Sequence, residues 1–159
     1  MTFQRRPGFT LTEMLVTAAI LGILAGAAIP LAKAALRRER EIELRRGLRT
    51  IREAIDAYKK LADEKKIEVE SDSDGYPPDL ETLVKGVPLK ADEKSKSKED
   101  RIIKLLRRIP TDPMTRSKEW GLLSSQDAPD SPSWGDENVF DVYTRSRAKA
   151  LDGTAYRDW

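Results

Sequence analysis

The sequence contains no cysteine and no histidine, and aromatic residues make up only 6% of its 159 residues. The absence of cysteine excludes disulfides, and the absence of both residue types excludes zinc sites built on Cys or His ligands. Nucleophilic catalysis by a Ser–His or Cys–His pair is excluded as well. A chain of this length with so few aromatic residues has room for one small domain with a modest core.

The chain also has little excess charge of either sign. Its formal net charge is +2, from 29 basic and 27 acidic residues. Two of the basic residues, Arg5 and Arg6, precede the apolar run. Without them the chain has 27 basic and 27 acidic residues. A chain without excess positive charge has no electrostatic reason to bind nucleic acid. We therefore expect no nucleic-acid partner.

A long uncharged run, residues 14–32, directly follows a single acid, Glu13. Nineteen residues in a helix rise roughly 28 Å, which is close to the thickness of a bilayer's hydrocarbon core and predicts a membrane span. Arg5 and Arg6 precede the run. The positive-inside rule therefore places the N-terminus in the cytoplasm and the rest of the chain outside it.

Three ordinary explanations of this run remain open. It has the features of a secretory signal with small residues at 25–27 for cleavage, of a twin-arginine export signal, and of a plain single-span anchor. None of these explains Glu13, because a carboxylate in the hydrocarbon costs about 2.5–3.5 kcal/mol. A charge that costly is expected to have a partner. Cleavage between Gly8 and Phe9 would supply one, since the new α-amino group of one subunit could pair with Glu13 of a neighbour.

The segment "PGFTLTEMLVTAAILGILAGAAIP" resembles the N-terminal signal of type IV pilins and of type II secretion pseudopilins. The resemblance implies that a prepilin peptidase cuts after Gly8 and then methylates the amino group of Phe9. It implies that Glu13 acts in subunit assembly. It also implies that Gly22 and Pro30 occupy the helix-weakening positions that this family has in its membrane segment.

Beyond the apolar run, the chain becomes highly charged but keeps a helical period. Apolar residues spaced 4, 3, 4 and 3 apart predict one buried stripe on a helix that continues to about residue 64. Charged residues four apart, such as Arg52 and Asp56, predict surface ion pairs along the same helix. The stripe consists of Leu44, Leu48, Ile51, Ile55 and Tyr58.

The remaining residues predict short elements joined by loops. Turn residues before residues 80–84 predict a short helix there, and the apolar pattern at 102–109 predicts a second one, ended by Pro110. "EWGLLS" and "ENVFDVYTRS" are typical of strands. With a third strand near the C-terminus, they predict one small antiparallel sheet. Residues 90–101 are polar and low in complexity, and we expect a loop.

Within the type IV pilin-like family, the chain resembles the major, G-type pseudopilin most closely. The matching segments are "YP" with the following "LETL", "IPTDP" and "FDVYTRS". The resemblance implies the α+β pilin fold, in which one long N-terminal helix packs on a small antiparallel β-sheet. The implied parts are a leader peptide (1–8), a transmembrane and assembly helix (9–36) and a periplasmic domain (37–159). Within the periplasmic domain, the resemblance implies an amphipathic helix (37–64), loops and a short helix (65–113) and a small sheet (114–159).

The sequence shows no catalytic constellation, and we expect no enzyme. The resemblance implies a structural subunit of a type II secretion pseudopilus, anchored in the bacterial inner membrane and polymerised into a periplasmic filament. Its implied partners are further copies of itself, minor pseudopilins, the prepilin peptidase and the inner-membrane assembly platform. A surface type IV pilin and a membrane-tethered periplasmic binding module are the alternatives.

Calcium is the one cofactor that the resemblance brings into consideration, because major pseudopilins often bind it near the C-terminus. Here Asp152 and Asp158 are the only candidate ligands in that stretch. Arg145, Arg147 and Lys149 precede them, and basic residues oppose cation binding. We therefore expect no calcium, and no other cofactor is required.

Overall fold

The structure is a computed structural model that describes residues 8–70, 73–90, 101–128, 131 and 133–159. Its elements are α1 (Leu11–Asp63), α2 (Leu80–Lys85), β1 (Val87–Pro88), β2 (Ile102–Ile103), β3 (Gly121–Leu123), β4 (Asp141–Tyr143) and a 3₁₀ helix (Tyr156–Asp158). The predicted α+β class, with one long N-terminal helix and small antiparallel sheets, is confirmed. The chain divides into two compact units, Met1–Glu39 and Arg40–Trp159.

In the first unit, α1 buries none of its side chains. All residues from 8 to 39 are exposed, including large apolar side chains such as Leu11 at 84% and Ile23 and Leu31 at 73% each. By length and composition, the helix is able to cross a membrane, and it is the one helix of the described residues that meets this criterion. The first seven residues of the predicted leader lie outside the described residues.

In the second unit, the rest of α1 supplies one side of the hydrophobic core. The predicted stripe is confirmed, because all five of its residues are at most 4% exposed. Complete burial of an aliphatic or aromatic side chain of this size contributes about 1.5–3 kcal/mol, so this stripe is a main source of the unit's stability. Against it pack Trp120, Val139, Val142 and Tyr156, among other buried side chains.

The short helix α2 forms where the turn residues predicted it. Asp79 caps its N-terminus by accepting the N–H of Thr82 at 2.6 Å, which satisfies one of the free donors of the first turn. Gly86 ends it with φ of +93°. A side chain at Gly86 would also meet Ile102 at 2.7 Å, so glycine is required there both for conformation and for space.

The helix predicted at residues 102–109 is wrong. Ile102 and Ile103 instead form β2, which pairs antiparallel with β1. The backbone N–H groups of Leu105 and Leu106 both donate to the carbonyl of Leu83, at 3.1 and 2.9 Å. These long-range bonds take donors that a local helix would need, and Leu106 becomes buried as a result. The loop predicted at 90–101 lies outside the described residues, apart from its two ends.

The prediction of one sheet with a third strand near the C-terminus is also wrong. β3 pairs antiparallel with β4 alone, and β1 and β2 form a separate two-stranded sheet. After β4 the chain makes a single bridge, Lys149 to Ala155, across a tight turn at Gly153, whose φ is +91°. The turn predicted at Asp152–Gly153 is therefore confirmed, but the chain then enters the 3₁₀ helix and buries Tyr156.

Arg52 connects α1 to β4 in the second unit. Its guanidinium contacts both carboxylate oxygens of Asp141, with Nε to Oδ1 at 2.6 Å and Nη2 to Oδ2 at 3.2 Å. It also donates to the backbone oxygens of Val142 at 3.1 Å and Trp159 at 2.7 Å. The predicted surface pair of Arg52 with Asp56 is therefore wrong, because a planar guanidinium is better satisfied by this bidentate arrangement.

Candidate functional site in the N-terminal segment

The beginning of α1 is fixed by Thr10. Its hydroxyl oxygen accepts the N–H of Glu13 at 3.2 Å, and its carbonyl accepts the N–H of Met14 at 3.2 Å. A threonine followed three residues later by a glutamate is a typical helix start, because the hydroxyl satisfies one free N–H of the first turn. Gly8 and Phe9 therefore precede the helix.

The predicted processing residues lie in exposed, non-helical backbone. Phe9 is 79% exposed, and no atom lies within 4 Å of the position that a Cβ at Gly8 would occupy. A peptidase must bind its substrate in an extended form that a helix does not offer, so the Gly8–Phe9 bond is placed where cleavage is feasible. Cleavage there remains a prediction.

Glu13 lies one turn into the exposed apolar helix. Its carbonyl accepts the hydroxyl of Thr17 at 2.9 Å, which satisfies the polar group of the threonine inside the apolar run. Among the described residues, the Glu13 carboxylate has neither a hydrogen-bond donor nor a cation as partner. The predicted partner, the amino group of Phe9 on a neighbouring subunit, would therefore meet a carboxylate that binds no described group of its own chain.

Gly22 and Pro30 lie within α1, which continues through both of them. A Cβ at Gly22 would have no neighbour within 4 Å, so no contact within the chain requires glycine there. Pro30 has no N–H and removes one hydrogen bond from the helix. Both residues lower the local stability of the helix, while their role in assembly remains a prediction.

The two candidate calcium ligands are engaged in local structure. The Asp152 carboxylate accepts the hydroxyl of Thr154 at 2.7 Å and its N–H at 2.9 Å, and these bonds lower the pKa of Asp152. Asp158 lies in the 3₁₀ helix. In the ranges that the structure describes, no group of three or more acidic residues comes together in a way that would hold a metal ion. The absence of calcium stays a prediction.

A basic cleft in the second unit was missed by the sequence analysis, which treated Arg145 and Arg147 only as opposing a cation. The cleft has a volume of about 540 Å³ and is lined by Arg145, Arg147 and Arg157 together with Tyr143 and other residues. The Arg157 guanidinium lies 4.7 Å from the centre of the Tyr143 ring and donates to the carbonyl of Ser131. The available signal was the alternation "RSR" directly after a strand, which places two arginines on one side of an extended chain.

A family model matches the N-terminal segment of the chain. The match is to the prokaryotic N-terminal methylation motif and covers residues 4–29, which include Gly8, Phe9, Glu13 and Gly22. No curated protein matches the chain, and no solved structure does. The motif is the signature of type IV pilin-like proteins, which a prepilin peptidase processes. The apolar helix and the motif together fit a membrane-anchored, single-pass chain.

Proposed function

We propose that this pilin-like chain is a structural subunit of a type II secretion pseudopilus rather than an enzyme. In this proposal, the prepilin peptidase removes residues 1–8 and methylates Phe9 in the inner membrane. The subunits then polymerise through their N-terminal helices and help to move folded proteins across the outer membrane. The observation that carries the proposal is the exposed apolar part of α1, whose single carboxylate, that of Glu13, has no partner among the described residues of the chain.

The exposure of the helix supports membrane insertion and assembly. Large apolar side chains such as Leu11, Ile23 and Leu31 are 73–84% exposed. Each such side chain gains about 1.5–3 kcal/mol when it leaves water, so the helix is stable only in a bilayer or against other helices. Both environments are available to a subunit that is stored in the membrane and then added to a filament.

Glu13 supports assembly over simple anchoring. A plain anchor gains nothing from a carboxylate in the hydrocarbon, which costs about 2.5–3.5 kcal/mol there. The methylated amine of Phe9 on a neighbouring subunit would be a cation at a similar depth in the membrane, because Phe9 lies about one helical turn from Glu13. The pairing would fix the position of one subunit against the next.

The resemblance of the second unit to the G-type pseudopilin supports the secretion filament over a surface pilus. Within the proposal, the N-terminus lies in the cytoplasm and residues 37–159 lie in the periplasm. Minor pseudopilins and the inner-membrane assembly platform are its further partners. The alternative, a surface type IV pilin, shares the processing and the helix. It differs in that its filament lies on the cell surface instead of in the periplasm.

The first test is the mass of the mature N-terminus of the chain expressed with a prepilin peptidase. We expect a chain that starts at Phe9 with one added methyl group. Gly8→Val is the matched control: its branched side chain should block cleavage and leave the whole leader in place. A mature chain starting at Ala28 would instead identify an ordinary secretory signal and refute the proposal.

The second test replaces Glu13 with alanine. We expect Glu13→Ala to abolish filaments while membrane insertion is kept or improved, because the costly charge is removed together with its pairing. Glu39→Ala is the matched control, since it removes one exposed acid from the same helix beyond the apolar run. Both variants are compared by membrane fractionation and by the amount of sedimentable filament. Normal assembly of Glu13→Ala would disprove the pairing.

A further inference from the structure

The basic cleft holds two cations that are available to a partner. Among the described residues, Arg147 has no hydrogen bond and no ion pair, and Arg145 has one exposed contact, Nη1 to Glu119 Oε2 at 3.3 Å. Arg157 is already engaged by Tyr143 and Ser131, and Asp158 adds one negative charge to the lining. The cleft therefore presents Arg145 and Arg147 as a pair of positive charges two residues apart.

An acidic pair with the same spacing follows the end of α1. Glu68 and Glu70 are both exposed and lie in a segment that is neither helix nor strand. Their carboxylates have no hydrogen bond or ion pair with the described residues, although the charge of Glu70 contributes, after burial, to the raised pKa of Tyr58. Val69 between them is 41% exposed.

We propose that the basic cleft of one copy binds the Glu68–Glu70 segment of a second copy in the filament. Neither segment is helical. When both are extended in the contact, residues two apart lie on the same side at a spacing of roughly 7 Å, so two carboxylates meet two guanidiniums in register. The inference rests on the proposed function, which supplies the second copy.

The balance of charge favours a second copy as the occupant. Without the leader, the chain has 27 acidic residues against 27 basic ones, since 29 less Arg5 and Arg6 leave 27. The positive charge of the cleft is therefore balanced by acidic side chains elsewhere on the same chain, and Glu68 and Glu70 are two of them that are exposed. The two surfaces differ, so the contact is head-to-tail. Repetition of a head-to-tail contact produces an open helical assembly rather than a closed dimer.

The test reverses the charges in the full chain, expressed with its peptidase. Arg145→Glu with Arg147→Glu should lower the sedimentable filament about tenfold or more, because like charges would face each other. Glu68→Lys with Glu70→Lys should do the same, and the chain with all four substitutions should recover most of the filament. The matched control reverses two exposed arginines outside the cleft, Arg107 and Arg108, and should assemble as the wild type does.

Every outcome of this experiment either supports or refutes the inference. If the cleft variant assembles like the wild type, or if the fourfold variant does not recover, the inference is wrong. If only the arginine substitutions matter, the cleft binds an acidic segment of another protein and the inference is equally wrong. Processing at Phe9 is measured in the same samples. A wild-type chain that is not cleaved and forms no filament refutes the proposed function itself, and the inference with it.

Cross-linking tests the contact directly, because the chain contains no cysteine. Glu68→Cys is combined with Arg145→Cys in one chain and with Arg147→Cys in another. An ion pair between Arg and Glu separates the two Cα atoms by the length of both side chains, which exceeds the reach of about 7 Å that a disulfide requires. The cysteines are therefore linked with a short bismaleimide, which should give ladders of linked subunits from filaments for at least one combination. The three single variants should give none. The absence of ladders from both combinations in intact filaments would overturn the inference.

Discussion

Replacement of Arg52 by methionine tests the link between α1 and β4 in the second unit. Methionine keeps an unbranched apolar stem but removes all four donated hydrogen bonds, to Asp141, Val142 and Trp159. The Arg52 and Asp141 side chains are 35% and 34% exposed. The pair is therefore neither a fully solvated surface pair nor a buried one.

The magnitude follows from this intermediate exposure. Exposed ion pairs contribute about 0.2–1 kcal/mol, and hydrogen bonds to charged groups about 1.5–3 kcal/mol when water is excluded. We take about 1 kcal/mol for the bidentate pair and about 0.5–1 kcal/mol for each of the two bonds to backbone oxygens. Arg52→Met should therefore lower the free energy of unfolding by about 2–3 kcal/mol. Arg52→Lys keeps the charge without the planar fork and should recover less than about half of this.

Tryptophan fluorescence during urea unfolding of the full chain in detergent is the assay. All three tryptophans, at positions 120, 134 and 159, lie in the second unit, so the signal reports on that unit alone. With a slope of about 1–2 kcal/mol per molar urea, the midpoint should fall by about 1–3 M. A double-mutant cycle with Asp141→Asn should give a coupling of about 1 kcal/mol. A loss below about 0.5 kcal/mol for Arg52→Met would refute the reasoning.

Two further predictions use the same assay. A Cβ at Gly121 would lie 2.3 Å from the ring of Tyr143, so Gly121→Ala should cost about 1–3 kcal/mol; an unchanged urea midpoint would contradict this. The N–H groups of Ser124 and Gly135, at 2.8 and 3.0 Å, lower the pKa of Asp127 below its usual 3.8. The stability that the ionised Asp127 carboxylate contributes should therefore be complete above its usual pKa. It should be lost as the pH falls through the lower pKa that Asp127 has in the folded chain. Asp127→Asn should flatten the dependence of the urea midpoint on pH in this range. Identical pH profiles for the variant and the wild type would contradict this prediction.

The parts of the fold that depend on local pattern were predictable from the sequence. The stripe from Leu44 to Tyr58 follows a helical period, and period alone determines which face of a helix is buried. The position of α2 follows from the turn residues that precede it. In the N-terminal segment, Gly8, Phe9 and Glu13 were recognisable because their spacing is short and fixed.

The parts that depend on distant partners were not predictable. The carbonyl of Leu83 binds the N–H groups of Leu105 and Leu106, and nothing in the local pattern of residues 102–109 reveals that acceptor. Arg52 has an acid four residues further along its own helix, yet it pairs with Asp141, 89 residues away. A sequence shows which charges are near in the chain, whereas the packing of α1 against β4 decides which are near in space.

The two-stranded sheet of β1 and β2 gives the chain a place where extra residues can be inserted. Val87 pairs with Ile103, Pro88 pairs with Ile102, and the N–H of Leu89 donates to the carbonyl of Arg101 at 2.9 Å. This ladder joins the two ends of the segment between them, whatever the length of that segment. Each doubling of a closed loop costs only about 0.6 kcal/mol. An epitope or a small fluorescent domain inserted between residues 90 and 101 should therefore leave the second unit folded and make single subunits visible in living cells.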